Sequence, residues 1–355
     1  MTAPKISRRD ILAGSSALAL GATFSTRVLS AAPPATAVTP ALIEAAKKEG
    51  KVIWYTSVDL PLAEKVGKAF EAKYPGIAVR VERSGAERVF QRIGQEYASK
   101  IHAVDVVNSS DAAHSIVWKR DNLLEAFVPE DVAKFYPEAH KDADGMFASF
   151  RIWVSIIAYN TNLVKKEDAP KSFADLLDPK WKNKIVKAHP SYSGTIMTAT
   201  YQMQRDLGWG FFEKLAAQNI MQVQSSADPP KRLALGERSV MADGNEYNIF
   251  EISEKGGPVA PVYATEGSPL IVGPTAMFKA APNPNAAKLF TAYCFTAECQ
   301  QLIIDVGGLR SVHPQTKDKP GRTPFKDIKV MKDDPVAVEK MSDEIKQKYS
   351  KIFKV

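Results

Sequence analysis

The sequence has few of the residues that most often carry catalysis or bind metals. Its 355 residues include only two cysteines and five histidines. Cys294 and Cys299 are five positions apart in a stretch with helical periodicity. On one regular helix this spacing separates their Cα atoms by about 8–9 Å, which is too far for a disulfide. No histidine or further cysteine follows at zinc-ligand spacing, so we expect two buried thiols.

The motifs of the common enzyme classes are also missing. The chain contains no GxSxG, GxGxxG, P-loop, HExxH or CxxC pattern, and no two histidines are four residues apart. These absences predict a protein that performs no catalysis and needs no cofactor. A secreted enzyme, with catalytic groups that meet only in space, is the alternative of another class.

Clustered charge and long apolar runs are absent as well. The formal net charge of +7 is spread over a chain that is 45% hydrophobic and 25% charged, as in soluble globular proteins. Basic residues do not cluster with aromatic ones, so we expect no nucleic-acid partner. No apolar segment is long enough to span a membrane.

The N-terminus has the pattern of an export signal. Residues 7–12, SRRDIL, match the twin-arginine motif, and a weakly apolar run follows to residue 24. Small residues at 30–32 and 35–37 offer cleavage sites. We therefore predict a twin-arginine signal peptide over residues 1–37 and a mature chain that lies in the periplasm.

The first half of the mature chain alternates between short apolar strands and amphipathic helices. Strands are predicted at residues 52–55, 77–82 and 104–107, with helices between them. This order predicts a parallel sheet with helices on its faces. Because the loops that follow parallel strands meet at one edge, we expect a ligand crevice there. Its candidate residues are Ser57, Asp59, Ser84, Gly85 and Ser110.

A second α/β unit begins after residue 149. Residues 150–160, FRIWVSIIAYN, form a long apolar strand that can cross between two lobes. Ser193, Gly194 and Thr195 stand at a helix start, where hydroxyls and free N–H groups suit an anion, although plain N-capping is the alternative. Ser226 ends a further predicted strand at 222–226.

Residues 241–257, MADGNEYNIFEISEKGG, predict one more strand, turn and helix. Asp243-Gly244-Asn245 breaks the strand, and Glu246 and Tyr247 open a helix that stops at Gly256-Gly257. Such a junction presents side chains to the ligand crevice of an open sheet. An ordinary loop with a partly exposed tyrosine is the alternative.

Several segments together resemble the periplasmic ferric-iron-type substrate-binding proteins of ABC importers, within solute-binding family 1. They are KVIWYTS, FEAKYPGIAV, RSG, DVVNSS, AYNT, PKWKNKI, YSGT and GGLRSVHP, and they cover residues 39–314. The resemblance implies a type II periplasmic binding protein fold, in which two parallel-sheet lobes are joined by hinge strands. It also implies a monomer that binds a small molecule in its cleft and delivers it to an inner-membrane permease. A sensor subunit that presents its closed form to a membrane receptor is a further alternative.

The predicted N-terminal lobe comprises residues 38–152 and 273–315, and the C-terminal lobe comprises residues 153–272. Residues 316–355 form a helical tail that we expect on the C-terminal lobe.

The resemblance also suggests the ligand class. Iron-binding members of the family use a histidine where this chain has Asp59 and a glutamate where it has Ser110. They use two adjacent tyrosines where this chain has Glu246 and Tyr247. Ferric iron or a ferric complex, held by Asp59, Glu246 and Tyr247, is therefore the first alternative.

Members of this family also bind an anion next to the iron. This chain matches the residues of that anion site more closely than the residues of the metal site. Ser193, Gly194 and Thr195 match its helix start, and Ser226 stands where asparagine is common. We therefore expect a small organic anion, namely a carboxylate, a phosphonate or a phosphate ester. Further candidate contacts are Arg83, Arg88, Arg151 and Trp153.

Overall fold

Two mixed β-sheets with helices packed on them make up residues 32–355, the part of the chain that the computed structural model describes. Residues 1–31, most of the predicted signal peptide, lie outside the described residues. Among residues 32–355, no helix combines the length and the apolar character that a membrane span requires.

The helices are α1 (Pro40–Glu49), α2 (Leu60–Lys73), α3 (Ala86–Ala98), α4 (Ala112–Arg120), α5 (Glu130–Phe135), α6 (Gly194–Leu207), α7 (Trp209–Ala216), α8 (Asp228–Ala234), α9 (Glu246–Glu254), α10 (Pro284–Cys294), α11 (Ala297–Gly307) and α12 (Pro335–Phe353). The strands are β1 (Lys51–Thr56), β2 (Ala78–Arg83), β3 (Val106–Asn108), β4 (Leu124–Glu125), β5 (Phe147–Val154), β6 (Ile157–Asn160), β7 (Ile185–Ala188), β8 (Met221–Val223), β9 (Val240–Met241), β10 (Val259–Val262), β11 (Ser268–Phe278) and β12 (Val330–Met331).

The first sheet has the order β12-β11-β3-β1-β2, and β4 and β5 also pair with β11. Strand β1 is parallel to both β2 and β3, which confirms the predicted β-α-β-α-β unit. Strand β11 is antiparallel to β3, β4 and β5, so the sheet is mixed. Val52, Trp54 and Tyr55 of β1 are buried because helices cover the sheet, and Trp54 contacts Phe290 of α10.

The second sheet has the order β10-β6-β9-β7-β8. Strand β7 is parallel to β8 and β9, whereas β6 and β10 join as antiparallel strands. Its core packs Phe173, Trp181 and Phe212 beneath the helices. Each sheet with its helices forms one lobe.

Two neighbouring strands connect the lobes. The chain leaves the first sheet at the end of β5, passes Ser155 and Ile156, and enters the second sheet as β6. The apolar stretch predicted as one long strand over residues 150–160 is therefore two strands, one in each sheet. It returns from β10 to β11, and β5 and β11 pair antiparallel from Leu270 opposite Val154 to Ala276 opposite Phe147. These paired strands are the hinge strands.

The tail helix α12 contacts both lobes. Its buried Val338 and Ile345 share an apolar cluster with Ala113 of α4 and with Met197 and Tyr201 of α6. Two ion pairs join α12 to the first lobe, Arg120–Glu339 at 2.6 Å and Lys346–Glu87 at 3.0 Å. The tail therefore packs on the second lobe and also bridges to the first.

The two cysteines do not lie on one helix, so the assumption of a single helix was wrong. Helix α10 ends at Cys294, and the Oγ1 atom of Thr296 accepts a hydrogen bond from the Cys299 N–H at 3.3 Å to begin α11. Both thiols are buried and free, as predicted.

Candidate functional site

The smaller of two cavities at the junction of the lobes is rich in hydroxyl and guanidinium groups. It has a volume of about 230 Å³. The first lobe contributes Ser57, Arg83, Gly85, Ala86, Arg88 and Ser110, and the second lobe contributes Tyr192, Ser193, Gln224, Ser225, Ser226 and Asp228. We call it the hydroxyl cavity.

Two helices begin at the hydroxyl cavity without a side-chain cap. Helix α3 follows Gly85, which has no side chain, and helix α6 follows Ser193, whose hydroxyl makes no capping bond. The N–H groups in a first helical turn lack intrahelical partners, and the helix dipole makes that end positive. The start of α3 therefore offers N–H donors to an anion, and the start of α6 adds the positive end of its dipole from the opposite lobe.

Arg83 and Arg88 bring positive charge to the same cavity. The Nη2 atom of Arg88 donates to the Oε1 atom of Gln224 in the opposite lobe at 3.2 Å. Arg83 donates to a carboxylate oxygen of Asp59 at 3.4 Å. Asp228 is the carboxylate that lines the hydroxyl cavity, and it accepts a bond from the Ser225 N–H at 3.2 Å. Because Asp59 pairs with Arg83, the positive charge that balances Asp228 comes from Arg88 and from the two helix ends.

A larger cavity of about 490 Å³ lies beside α2, α9 and α11. It is lined by Asp59, Pro61, Leu62, Lys65, Arg151, Tyr247, Glu251, Glu254, Lys255, Asp305, Val306, Gly307, Leu309 and Lys319. We call it the arginine cavity because Arg151 is its buried cation. Its lining mixes both signs of charge.

Arg151 connects the two cavities. It projects from β5, donates through Nε to the Oδ1 atom of Asn108 at 3.2 Å, and donates through Nη2 to the hydroxyl of Ser57 at 3.0 Å. Its guanidinium carbon lies 4.6 Å from the centre of the Trp153 ring. Ser57 itself lines the hydroxyl cavity, so one hydrogen bond separates Arg151 from that cavity.

Tyr247 belongs to a hydrogen-bond chain that crosses between the lobes. The side-chain amide of Asn245 accepts from Trp153 at 3.2 Å and donates to the Tyr247 hydroxyl at 3.0 Å and to Asn248 at 2.9 Å. Asn248 in turn donates to Asp59 at 3.2 Å. Burial, followed by the charge of Asp59, raises the pKa of the Tyr247 hydroxyl, so the side chain is a neutral phenol at pH 7.

Glu246, the neighbour of Tyr247, lines neither cavity. Its carboxylate is fully buried. It accepts two hydrogen bonds from Arg310, at 2.7 and 3.0 Å, and one from Arg322 at 2.9 Å. The hydroxyl of Tyr263 also donates to it. This predicted site residue is thus bound to side chains of the protein itself.

The remaining predicted residues divide between the cavities and the packing behind them. The hydroxyl cavity is lined by Ser57, Gly85, Ser110, Ser193 and Ser226, and the arginine cavity by Asp59, Arg151 and Tyr247. Neither cavity is lined by Ser84, Trp153, Gly194, Thr195 or Glu246.

Gly194 has a steric role at the lobe junction. A Cβ atom there would lie 2.6 Å from the Cβ atom of Asp111 and 3.2 Å from that of Ala86, both in the first lobe. Glycine therefore allows the close approach of α6 to the starts of α3 and α4.

Sequence reasoning missed Tyr192, Gln224, Ser225 and Asn248. Gln224 and Ser225 directly follow β8, which is the same strand-end signal that selected Ser226. Asn248 lies one residue beyond Tyr247, and nothing in the local sequence shows that it reaches across to Asp59.

A buried ionic cluster lies behind the site. His114 bonds through Nε2 to Glu87 at 3.1 Å, lies 3.9 Å from Asp111, and bonds through Nδ1 to Ser109 at 2.9 Å. These three ionisable residues are grouped closely enough to ligate a metal ion. The ammonium of Lys346 contacts Glu87 at 3.0 Å, however, and it supplies the cluster with a positive charge already.

Comparison with known proteins agrees with this architecture. The sequence profile of bacterial extracellular solute-binding proteins matches residues 114–329. Among curated proteins, the chain is 23% identical over 242 residues to iron uptake protein A1 of Synechocystis. The matched region covers 64% of this chain and 66% of that protein. It is 22% identical to a probable ABC transporter periplasmic-binding protein of Sinorhizobium fredii, over 76% of each chain.

Solved structures show the same fold. The periplasmic binding protein AfuA of Actinobacillus pleuropneumoniae, with fructose-6-phosphate bound, has a TM-score of 0.79 at 24% identity, over 86% of this chain and 99% of that one. Iron-bound HitA of Pseudomonas aeruginosa has a TM-score of 0.75 at 21% identity, over 85% of this chain and 99% of that one. On its sequence profile, this chain belongs to the family of bacterial extracellular solute-binding proteins.

Proposed function

We propose that this protein is the periplasmic binding component of an ABC importer and that it captures a small organic anion between its lobes. A phosphate ester is the favoured ligand, ahead of a phosphonate or a carboxylate. The observation that carries this proposal is the meeting of two uncapped helix starts and two arginines at one hydroxyl-rich cavity.

The donors of the hydroxyl cavity match a tetrahedral anion. A phosphate group has several acceptor oxygens, which N–H, hydroxyl and guanidinium donors can surround from different sides. Bonds to a charged group are about twice as strong as neutral ones. Because the donors come from both lobes, an anion here stabilises the closed arrangement more than an open one.

Hinge closure is the mechanism that we propose. Arg88–Gln224 and Asp59–Asn248 are contacts between lobes, and they break when the lobes separate. We place the hinge at residues 155–156 and 263–267, where the chain passes between the sheets. The ligand then enters an open cleft, and closure completes its shell of donors.

We propose no catalytic role. No histidine lines either of the cavities described above, so their serines lack the imidazole base that a serine nucleophile ordinarily requires.

Ferric iron is the second candidate, because Asp59 and Tyr247 line one cavity and a curated relative is an iron uptake protein. Two observations place it below the organic anion. Glu246 is held by two arginines, and the buried guanidinium of Arg151 lines the same cavity as Tyr247 and would repel a cation.

Calorimetry and thermal unfolding with methyl phosphate test the proposal. A ligand at about a hundred times its Kd adds about 2.7 kcal/mol to the free energy of unfolding. Arg88→Gln should weaken binding about tenfold or more, since a bond to a charged group contributes about 1.5–3 kcal/mol. Arg92→Gln, on the same helix but outside the hydroxyl cavity, is the matched control.

Ferric citrate is the opposing probe. A stability gain with ferric citrate alone, accompanied by a visible tyrosinate-to-iron absorption band, would contradict the organic-anion proposal.

A further inference from the structure

Arg151 differs from the other buried cations of residues 32–355. Four lysine or arginine side chains are buried in this part of the chain, and three of them contact a carboxylate within 4.0 Å. Those pairs are Lys187–Asp243 at 2.7 Å, Arg310–Glu246 at 2.7 Å and Arg322–Glu246 at 2.9 Å. Arg151 is 2% exposed, and no carboxylate oxygen of residues 32–355 lies within that distance of it.

The groups that hydrogen-bond to Arg151 or stack on it carry no negative charge. Asp59 acts on it only from beyond salt-bridge distance, and Asp59 is itself paired with Arg83 at 3.4 Å. Asn108 and Ser57 accept its hydrogen bonds, and the ring of Trp153 stacks on it. Tyr247 is a neutral phenol because burial raises the pKa of its hydroxyl. A buried charge without an opposite charge is costly, and the dipoles and the ring compensate for it only in part.

The carboxylates that line the arginine cavity all contact other side chains. Glu251 pairs with Lys255 at 2.7 Å, and Glu254 pairs with Lys319 at 2.6 Å. Asp59 contacts Arg83 and Asn248, and Asp305 accepts from Gln301 at 2.8 Å. Arg151 is therefore the buried charge of this cavity that a bound anion could neutralise.

Arg151 also lies next to the hydroxyl cavity, because Ser57 accepts its hydrogen bond and lines that cavity. A molecule with one charged group among the hydroxyls can thus place a second charged group at Arg151 without a long spacer.

We infer that Arg151 is a second anion subsite and that the ligand carries two anionic groups, a phosphate or phosphonate in the hydroxyl cavity and a carboxylate in the arginine cavity. The ligand class is that of phosphorylated or phosphono carboxylic acids. The inference rests on the proposed function for the first of these groups, and on the uncompensated charge of Arg151 for the second.

Calorimetry with methyl phosphate, phosphoglycolate and succinate tests it. Phosphoglycolate keeps the phosphate ester of methyl phosphate and adds one carboxylate. The unaltered protein should bind phosphoglycolate about tenfold or more tightly than methyl phosphate, as expected for one charged hydrogen-bonded contact. Arg151→Gln should remove this preference, so that phosphoglycolate and methyl phosphate bind with about the same Kd, whereas Arg88→Gln should weaken both compounds by the same factor and keep the preference.

Thermal unfolding without ligand separates a binding role from a structural one. If Arg151 serves an absent anion, Arg151→Gln should leave the unfolding midpoint unchanged or raise it, because it removes an uncompensated buried charge. A structural arginine would lower the midpoint when replaced. Arg151→Lys, which keeps the charge, should retain part of the preference for phosphoglycolate.

The remaining outcomes distinguish the two proposals. Equal affinity for the two phosphates, or a preference that survives Arg151→Gln, overturns the second subsite while the phosphate site stands. Binding of succinate alone, lost in Arg151→Gln, supports the subsite and refutes the phosphate group. If none of the three compounds binds, both proposals are wrong.

Discussion

Replacing Glu246 by glutamine should destabilise the protein without removing a ligand contact. The Glu246 carboxylate is the shared partner of Arg310 and Arg322, which are 2% and 1% exposed at their side chains. Removing its charge leaves two buried guanidinium groups with less compensation.

The loss in the free energy of unfolding depends on the contacts that Arg310 and Arg322 retain. Breaking a buried ion pair by removal of one partner costs about 3–5 kcal/mol. Asp318, 35% exposed, still contacts Arg310 at 2.6 Å and Arg322 at 3.4 Å, so we expect the lower end, about 3 kcal/mol. At about 2 °C per kcal/mol for a chain of this size, the unfolding midpoint should fall by about 6 °C.

Circular dichroism during thermal and urea unfolding measures this loss. Glu251→Gln is the matched control, because Glu251 lies on the same helix, is 50% exposed, and pairs only with Lys255 four residues on. It should cost less than about 0.5 kcal/mol. If Glu246→Gln costs under about 1 kcal/mol and abolishes ferric binding instead, then Glu246 is a metal ligand and the reasoning is refuted.

Three further substitutions test the lobe junction, the ionic cluster and the tail. Gly194→Ala should weaken binding of methyl phosphate about tenfold or more in calorimetry, because its Cβ atom would overlap Asp111 in the closed arrangement, and overpacking costs about 1–3 kcal/mol. Raising the pH above 6.5 should lower the free energy of unfolding in urea titrations. His114→Gln should reduce that trend to the part contributed by Asp333, whose pKa burial raises to about 7. Tyr349→Ala should cost about 3 kcal/mol in the same titrations, since this fully buried ring packs in the second core.

The sign of the pH effect follows from the partners of His114. Burial alone favours the neutral imidazole, but Asp111 and Glu87 outweigh burial and raise the pKa of His114 above its usual 6.5. The folded protein therefore holds this proton more tightly than the unfolded chain, and the stabilisation is present below pH 6.5 and is lost as the pH rises through the folded pKa. Glu87 acts at the opposite end of the pH range. Burial by itself raises its pKa, but His114 and Lys346 together lower it to about 2, so its contribution is lost below about pH 4.5.

Each of these tests has a control in the same chain. Gly210→Ala introduces a Cβ atom with nothing within 4 Å, so binding should not change. Exposed His102→Gln should leave the pH trend intact. Val336→Ala, 44% exposed on the tail helix, should cost little. Effects of similar size in these controls would show that the three explanations are wrong.

The alternation of strands and helices was predictable because its signals are local. The apolar run at β1 and the helix after Thr39 each depend on a few consecutive residues. Local signals also produced an error. Apolar periodicity continues through residues 287–306, so the capping signal of Thr296, which divides this stretch into two helices, was overlooked.

The candidate site was predictable only where it lies at the ends of strands and helices. Ser57, Ser110 and Ser193 line the hydroxyl cavity for that reason. Glu246 lines neither cavity because it pairs with Arg310 and Arg322, which are 64 and 76 positions away in the sequence. Likewise, no carboxylate oxygen of residues 32–355 lies within 4.0 Å of Arg151 because of how the lobes pack. No short stretch of sequence could have predicted this.

Helix α12 follows in the chain all the helices on which it packs, so these contacts can form only after it has been made. Ile345 and Tyr349 are fully buried in apolar clusters formed with residues far earlier in the chain. The ribosome makes these 19 residues after the strands and helices of both lobes, so both clusters stay incomplete until α12 has been released. A chain terminated before Pro335 would leave apolar surface exposed on α4 and α6. We expect quality-control proteases to degrade such a chain.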